Sequence, residues 1–202
     1  MKLAKLFLFP TLFIVCVVYS SANFRVFAQT LDNQSVTNIA ERETGDRFTI
    51  SAKTRKGANV YAVSTQPSPD ILGAIDKGLD DLFAIARKHD YNRRLKHSDY
   101  TIYIALSDRQ KDSDGNYSPD ITISAGQYGG SIYDQGGYIY AAGMVIAFKP
   151  CAFIIAEHVK NWNRVSDVVR YEGEHLVLYH NDRRLYKETA DHSKSGGHPI
   201  LN

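Results

Sequence analysis

The side chains best suited to chemistry are concentrated near the end of the chain, between Ser166 and Leu201. Four of the seven histidines lie there: His175, His180, His192 and His198. Glu172 lies three residues before His175, and residues three or four apart share one face of a helix. A carboxylate and an imidazole that point together from a partly apolar helix are what a metal site or an acid/base pair requires. The sequence therefore predicts the functional site on this helix.

The helix itself is predicted to begin at Ser166, because serine caps helix N-termini and Asp167 complements the positive end of the helix dipole. Arg183 and Arg184 are expected in its last turn. Helical spacing then places four polar side chains in one stripe: Glu172, His175, Tyr179 and Asp182. This stripe defines the face on which ligands or substrates are expected.

The residues YEGEH, Tyr171 to His175, resemble the HExxH motif of the zincin metallopeptidases, with tyrosine in place of the first histidine. In that family two histidines bind zinc, the glutamate is the general base, and a third ligand follows further along the chain. The resemblance implies that Glu172 is the base and His175 a zinc ligand. Tyr171 occupies the position of the first ligand. In the inverted motif HxxEH, Glu174 and His175 match the last two positions, but the first histidine is again replaced by Tyr171.

Two arrangements of a metal site are open. In the first, His175 and two of His180, His192 and His198 bind the metal and Glu172 is the base, and the Gly/Ser-rich loop around His192 and His198 allows both to fold back. In the second, Glu172 and His175 both bind, as in carboxylate-bridged di-iron bundles, which need a second ExxH pair that this chain lacks. We therefore predict zinc bound by His175, His192 and His198. The interpretation without a metal is an ordinary Glu–His contact within the helix.

The tail from Asp191 to Pro199 is too polar and too rich in glycine to be driven onto the core by hydrophobic burial. Without a ligand, we expect this tail to be mobile. A metal shared with His175 would supply the free energy that orders it.

Residues 1–28 have the features of a secretory signal peptide, since Lys2 and Lys5 precede an apolar run that is short for a membrane span. We predict cleavage after Ala28, a secreted or periplasmic protein, and no stable membrane span after cleavage. An uncleaved anchor is the competing interpretation.

Cleavage at that point removes three of the 24 basic residues and none of the 22 acidic ones, which leaves 21 against 22 and a net charge of −1. A nearly neutral protein lacks the positive charge of nucleic-acid binders. Cys151 would be the only remaining cysteine, so no internal disulfide is expected, and a small buried side chain is favoured over a nucleophile. The length suits one domain, which we expect to be a monomer.

Residues 29–58 form a polar N-terminal segment in which Phe48–Ala52 is a possible strand. Asn59–Ser64 is predicted as a strand, and Ser68-Pro69 opens the clearest helix of the chain. Three aspartates of this helix are expected to form a solvated face: Asp76, Asp80 and Asp81. Tyr100–Leu106 is predicted as the next strand, so that a helical crossover joins two parallel strands.

Residues 121–148 are predicted as short antiparallel strands with a hairpin turn at 135–137. Lys149-Pro150 is expected to end the sheet. Cys151–Trp162 is expected to form an apolar helix that carries Glu157 and His158.

The order of elements predicts an α+β fold, a single domain over residues 59–202 with a mixed or antiparallel sheet packed on helices. The zincin resemblance implies that the edge strand of this sheet holds an extended substrate. The first functional hypothesis is an exported zinc-dependent hydrolase, a peptidase with Glu172 as base, acting on a peptide or cell-envelope substrate. The second is a non-catalytic zincin-like binding domain, which Tyr171 favours, whereas the clustered His192 and His198 favour the first.

Overall fold

The computed structural model describes residues 31–63, 65–91, 93–106, 121–124, 138–141, 143–156, 161–191 and 196–201, and for residues 121–124 and 138–141 it describes the backbone only. The predicted signal peptide, residues 1–28, lies outside the described residues. The helices and strands, in chain order, are α1 (Asn33–Thr44), β1 (Ile50–Lys53), β2 (Asn59–Ala62), α2 (Pro69–Ala86), β3 (Tyr100–Ala105), β4 (Ile121–Ser124), β5 (Tyr138–Ala141), β6 (Gly143–Phe148), β7 (Cys151–Ala156), α3 (Trp162–Asn181) and α4 (Arg183–Thr189). Short 3₁₀ helices span Arg87–His89 and His97–Asp99.

Five of the strands form one mixed sheet in the order β1-β2-β3-β7-β6. The three central strands are parallel, whereas β1 and β6 run antiparallel to their neighbours at the two edges. β4 and β5 pair with each other in a separate antiparallel sheet. The predicted α+β class, with a mixed sheet packed on helices, is confirmed.

The central strands lie between two hydrophobic cores. On one face of the sheet, Tyr100, Ile102 and Ile104 pack with α2 and α3. On the other face, Tyr103 and Ala105 pack with α1. Because both faces are covered, β3 and β7 are buried at every position. Strands of this kind have continuously apolar sequences instead of alternating ones.

Helix α2 confirms the prediction made from its N-terminal residues. Ser68 is the N-cap and its side chain accepts a hydrogen bond from the backbone N–H of Ile71 at 3.3 Å, and Pro69 is the first helical residue. The helix connects β2 to β3, which pair in parallel with Val60 opposite Ile102. The predicted crossover is therefore present.

Helix α1 lies inside the segment that was expected to be merely polar. Asp32 caps it by accepting a hydrogen bond from Ser35 N at 2.7 Å. Only Val36 and Ala40 of this helix are buried. Two buried side chains on an otherwise polar helix give a weak periodic signal, which explains why the helix was not predicted. The possible strand in the same segment is present as β1.

The segment Cys151–Ala156 is strand β7 and not the start of a helix, so that prediction was wrong. Its six residues are all apolar and all buried at the centre of the sheet. A short continuous apolar run does not distinguish a buried strand from a buried helix. Lys149-Pro150 does not end the sheet but forms the turn between β6 and β7. Glu157 and His158 lie outside the described residues.

Helix α3 begins one turn earlier than predicted, at Trp162. Its N-cap is Asn161, whose side chain accepts a hydrogen bond from Arg164 N at 3.1 Å. Ser166 is a buried residue inside the helix, and its hydroxyl donates to the carbonyl of Ala74 on α2 at 2.9 Å. The helix ends at Asn181, so Arg183 and Arg184 belong to α4.

Helices α2 and α3 approach each other closely at two glycines. A Cβ on Gly78 would lie 2.5 Å from the carbonyl oxygen of Ser166, and one on Gly173 would lie 2.7 Å from Leu82 Cδ2. Neither position has room for a side chain. This close packing fixes the middle turn of α3, which carries the residues of the predicted site.

The acidic face of α2 is not fully solvated as predicted. Asp76 is only 7% exposed and accepts a hydrogen bond from the backbone N–H of Lys56 at 3.1 Å. Asp80 and Asp81 are more exposed and pair with Lys56 and Lys77, respectively.

Among the helices that the structure describes, none is both long enough and apolar enough to cross a bilayer.

Candidate functional site

The candidate site is built on the middle turns of α3. At 3.6 residues per turn, His175 lies about 40° around the helix from Tyr171 on one side and about 60° from Glu172 on the other. Glu174 lies beyond Tyr171. The helix therefore presents Glu172 towards one neighbour and Tyr171 with Glu174 towards another, with His175 between them.

The neighbour on the Glu174 side is the C-terminal tail. Glu174 is fully buried, and its carboxylate binds two groups of the tail: Oε2 lies 2.6 Å from Nδ1 of His198, and Oε1 accepts a hydrogen bond from Ile200 N at 2.8 Å. In the tautomer that carries a proton on Nδ1, His198 donates this hydrogen bond to the carboxylate. Ile200 itself is buried in the core.

The last residues of the tail contact α3 without a metal. Ile200 buries apolar surface just beyond the polar stretch, and two hydrogen bonds to Glu174 hold the side chain of His198 and the backbone N–H of Ile200. The end of the tail, residues 196–201, is therefore held by α3 itself.

The tail brings His198 against two residues of the YEGEH motif. Its ring lies 4.9 Å from the ring of His175 and stacks on the ring of Tyr171 at 4.6 Å, both measured between ring centroids. Two of the three predicted zinc ligands, His175 and His198, are thus neighbours. The third, His192, lies outside the described residues.

On the opposite side of His175, Glu172 packs against the edge strand β6. A Cβ on Gly143 would lie 2.5 Å from Glu172 Cγ, so the glycine makes room for this side chain. Burial raises the pKa of Glu172 to about 8, and a hydrogen bond from the backbone of Val145 partly opposes that increase. At neutral pH the protonated form of this carboxyl is therefore favoured.

His180, the remaining histidine that was considered as a ligand, is not part of this group. Its Nε2 lies 2.8 Å from the carbonyl oxygen of Phe148 and 3.5 Å from Sγ of Cys151. Burial lowers the pKa of His180 and raises that of Cys151 to about 12. Cys151 is buried, as predicted, and its raised pKa disfavours a nucleophilic role.

The predicted polar stripe ends at His175. Tyr179 is buried and stacks on Phe148, with ring centroids 3.9 Å apart, and the guanidinium of Arg183 lies over its ring. Asp182 is the N-cap of α4 and accepts a hydrogen bond from Leu185 N at 2.9 Å. These two residues have structural contacts and do not extend the site.

Glu174 was named only as part of the inverted HxxEH motif, and its role as the anchor of the tail was not predicted. It occupies a variable position of the HExxH pattern, so the motif assigns it no role. A fully buried glutamate is uncommon, and its burial here depends on the return of a tail that lies more than twenty residues further along the chain. No local pattern in the sequence contains that information.

The side chains around His198 can be compared with the ligands that the predicted zinc ion requires. Proteins orient a metal-binding histidine by holding the N–H of its other ring nitrogen with a carboxylate, a backbone carbonyl or water. His198 meets this condition through Glu174, and His175 lies beside it. The residues described by the structure contain no group of three histidine, cysteine or acidic side chains arranged around a common point. A zinc site here would need a further donor besides His175 and His198.

Comparison of this chain with protein-family models, with curated proteins and with solved structures finds no match. No relative therefore assigns a role to Glu172, Glu174, His175 or His198.

Proposed function

We propose that this protein is an exported metal-dependent hydrolase of the zinc peptidase type, with Glu172 as its general base and His175 and His198 as metal ligands. The observation that carries this proposal is the position of His198, whose ring lies beside His175 while its Nδ1 is held by the buried Glu174. Besides anchoring the tail, this carboxylate fixes the orientation of the His198 ring, which is the arrangement that proteins use for metal-binding histidines.

The fold supports the zincin-like part of the proposal. A mixed sheet precedes α3, and its antiparallel edge strand β6 contacts that helix through Gly143 and Glu172. Within the described residues no strand pairs with the outer edge of β6. An extended peptide can add to such an edge through main-chain hydrogen bonds. A peptide or a peptide-containing component of the cell envelope is therefore the proposed substrate class.

Zinc suits this site because imidazole nitrogens are among its preferred donors, and His192 stays the predicted third ligand. When bound, the ion would polarise a substrate carbonyl and acidify an attacking water. Glu172 accepts the proton of that water and passes it to the leaving amine.

One observation favours the second hypothesis, a non-catalytic binding domain on the same frame. Tyr171 stands where the first zincin ligand is expected, and its phenol, with a reference pKa of about 10, is a poor ligand at neutral pH. The ring is 37% exposed and is stacked on His198, so it is positioned to contact a bound peptide.

A hydrolysis assay with matched glutamine variants tests the proposal. We expect the zinc-loaded protein to cleave a mixed peptide library, and Glu172→Gln to lower the rate by about 100-fold or more. Glu188→Gln, which changes an exposed glutamate of α4 in the same way, should leave the rate unchanged. If the protein binds zinc but cleaves no peptide, the hydrolase hypothesis is rejected and the binding-domain hypothesis is favoured. Equal rates for the wild type and Glu172→Gln would remove Glu172 from the mechanism.

A further inference from the structure

A second concave site lies beside the C-terminal ends of α2 and α3. It is a cavity of about 540 Å³ between the C-terminal end of α2, the segment 91–96 that follows it, and α3. This volume is within the range of small-molecule binding sites. None of the residues assigned to the proposed metal site lines it.

Positive side chains dominate the rim of this cavity. Arg87, Arg93, Arg94 and Lys96 line it and are exposed. Asp90 is the one acidic residue among the lining residues. The four cationic side chains form no ion pair with the carboxylates that the structure describes. Residues 87–96 therefore concentrate positive charge on a protein whose overall charge is close to zero.

The floor of the cavity is apolar. Leu95 and Val177 are buried core residues, and Phe83 and Tyr91 are partly buried beside them. A binding site of this kind offers an apolar surface for the body of a ligand and a few polar groups that fix its orientation. Tyr91 adds a phenol that stays protonated, since burial raises its pKa.

The wall of the cavity is fixed before any ligand arrives. The side chain of Asn181, at the end of α3, binds both backbone groups of Arg93: its Oδ1 accepts from Arg93 N at 2.8 Å, and its Nδ2 donates to Arg93 O at 3.1 Å. Lys96 N donates to Asp99 Oδ2 at 2.8 Å. Preorganisation of this kind lowers the entropic cost of binding.

We infer that this cavity binds an amphiphilic anion, a ligand with a phosphate or carboxylate headgroup and an apolar body. The guanidinium groups of Arg87 and Arg94 suit such a headgroup because arginine forms paired hydrogen bonds with carboxylates and phosphates. The floor of Phe83, Leu95 and Val177 holds the apolar body.

Calorimetric titration of the full-length protein with hexyl phosphate tests this inference. Inorganic phosphate and 1-hexanol, the two halves of the ligand, serve as fragment controls. The affinity of each should be lower than that of hexyl phosphate by about tenfold or more. The double variant R87Q/R94Q should weaken the binding of hexyl phosphate by about tenfold or more. The double variant K53Q/R55Q removes two exposed cations that do not line the cavity, and it should bind as the wild type does.

Vesicles distinguish the two sources of such a headgroup. Binding to phosphatidylglycerol vesicles that R87Q/R94Q abolishes would assign the site to an anionic lipid. Binding of hexyl phosphate without binding to vesicles would assign it to a soluble amphiphile. The inference is overturned if neither hexyl phosphate nor the vesicles bind, or if R87Q/R94Q and K53Q/R55Q bind them equally.

Discussion

Glu174 and His198 are 24 positions apart in the sequence, and their side chains meet at 2.6 Å in the interior of the protein. The same carboxylate holds the backbone N–H of Ile200. Glu174 therefore fastens the C-terminal tail to α3 and sets the orientation of the His198 ring beside His175. Both the stability of the tail and the proposed chemistry depend on this pair.

The first prediction concerns the stability of this pair. Glu174→Gln keeps the shape of the side chain but removes its charge, so it should lower the free energy of unfolding by about 1–3 kcal/mol. His198→Ala should cost a similar amount, and the two changes together should cost less than their sum by about 1 kcal/mol or more. Urea unfolding of the four proteins measures this coupling. Strictly additive losses would show that the two side chains do not interact in solution.

The second prediction concerns the pH dependence conferred by Glu172. Its pKa in the folded protein, about 8, is above its ordinary value of 4.5, so folding favours the protonated form. The resulting stabilisation is complete below about pH 4.5 and is lost as the pH rises through about 8. The wild type should therefore lose about 1–3 kcal/mol relative to Glu172→Gln across this range, less than the full linkage value because relaxation and water penetration reduce the cost of burying a charge.

Urea unfolding of both proteins at several pH values, with a chelator present, measures that difference. The comparison cancels the contributions of other groups, such as His180, whose lowered pKa has the opposite effect and makes stability rise with pH. A constant difference between wild type and Glu172→Gln from pH 5 to pH 8.5 would show that the carboxyl is not buried as the structure indicates.

The third prediction concerns the space that Gly143 leaves for Glu172. Gly143→Ala should destabilise the protein by about 1–3 kcal/mol, because the added Cβ would lie 2.5 Å from Glu172 Cγ and 2.8 Å from Val168 Cγ1. In a Glu172→Ala background the loss should be smaller, since the nearest atom is gone. Gly73→Ala, on α2 with nothing within 4 Å of the added Cβ, is the matched control and should not destabilise. An equal cost of Gly143→Ala in both backgrounds would contradict the contact.

The fourth prediction concerns Cys151, studied in a Cys16→Ser protein so that it is the only thiol. Burial raises its pKa to about 12 from 9.0. Since the thiolate is the reacting form, its reaction with a disulfide reagent at pH 8 should be about 1,000-fold slower than that of an unperturbed thiol. Unfolding in guanidinium should restore the ordinary rate. Fast labelling of the native protein would show an accessible, activated thiol.

The elements that sequence reasoning predicted correctly are those with local signals. Ser68 and Pro69 mark the start of α2 regardless of what lies around them. The strand β7 was mistaken for a helix because its apolar run is explained only by its central position in the sheet, between β3 and β6. Whether a strand is buried on both faces depends on elements distant in the sequence, and periodicity carries no such information.

The residues of the candidate site also divide into those with a local sequence signal and those positioned by contacts distant in the sequence. Glu172 and His175 were found from their spacing, because three residues on a helix fix their relative direction. The approach of His198 was predicted through a metal, but the contacts that position it in the structure come from Glu174 and Ile200. The interior position of Ser166 was missed because its hydroxyl binds a carbonyl on α2, a partner 92 residues away.

Metal analysis of the purified protein tests the central claim most directly. We expect about one equivalent of zinc in wild-type protein prepared without chelator, and a higher melting temperature with zinc than without it. His175→Ala and His198→Ala should each abolish zinc retention, as should His192→Ala, while His89→Ala, which removes an exposed histidine, should retain it. The proposed metal site would be contradicted by a wild type that contains no metal and whose melting temperature changes with neither zinc nor chelator. Equal zinc retention in all four variants would also contradict it.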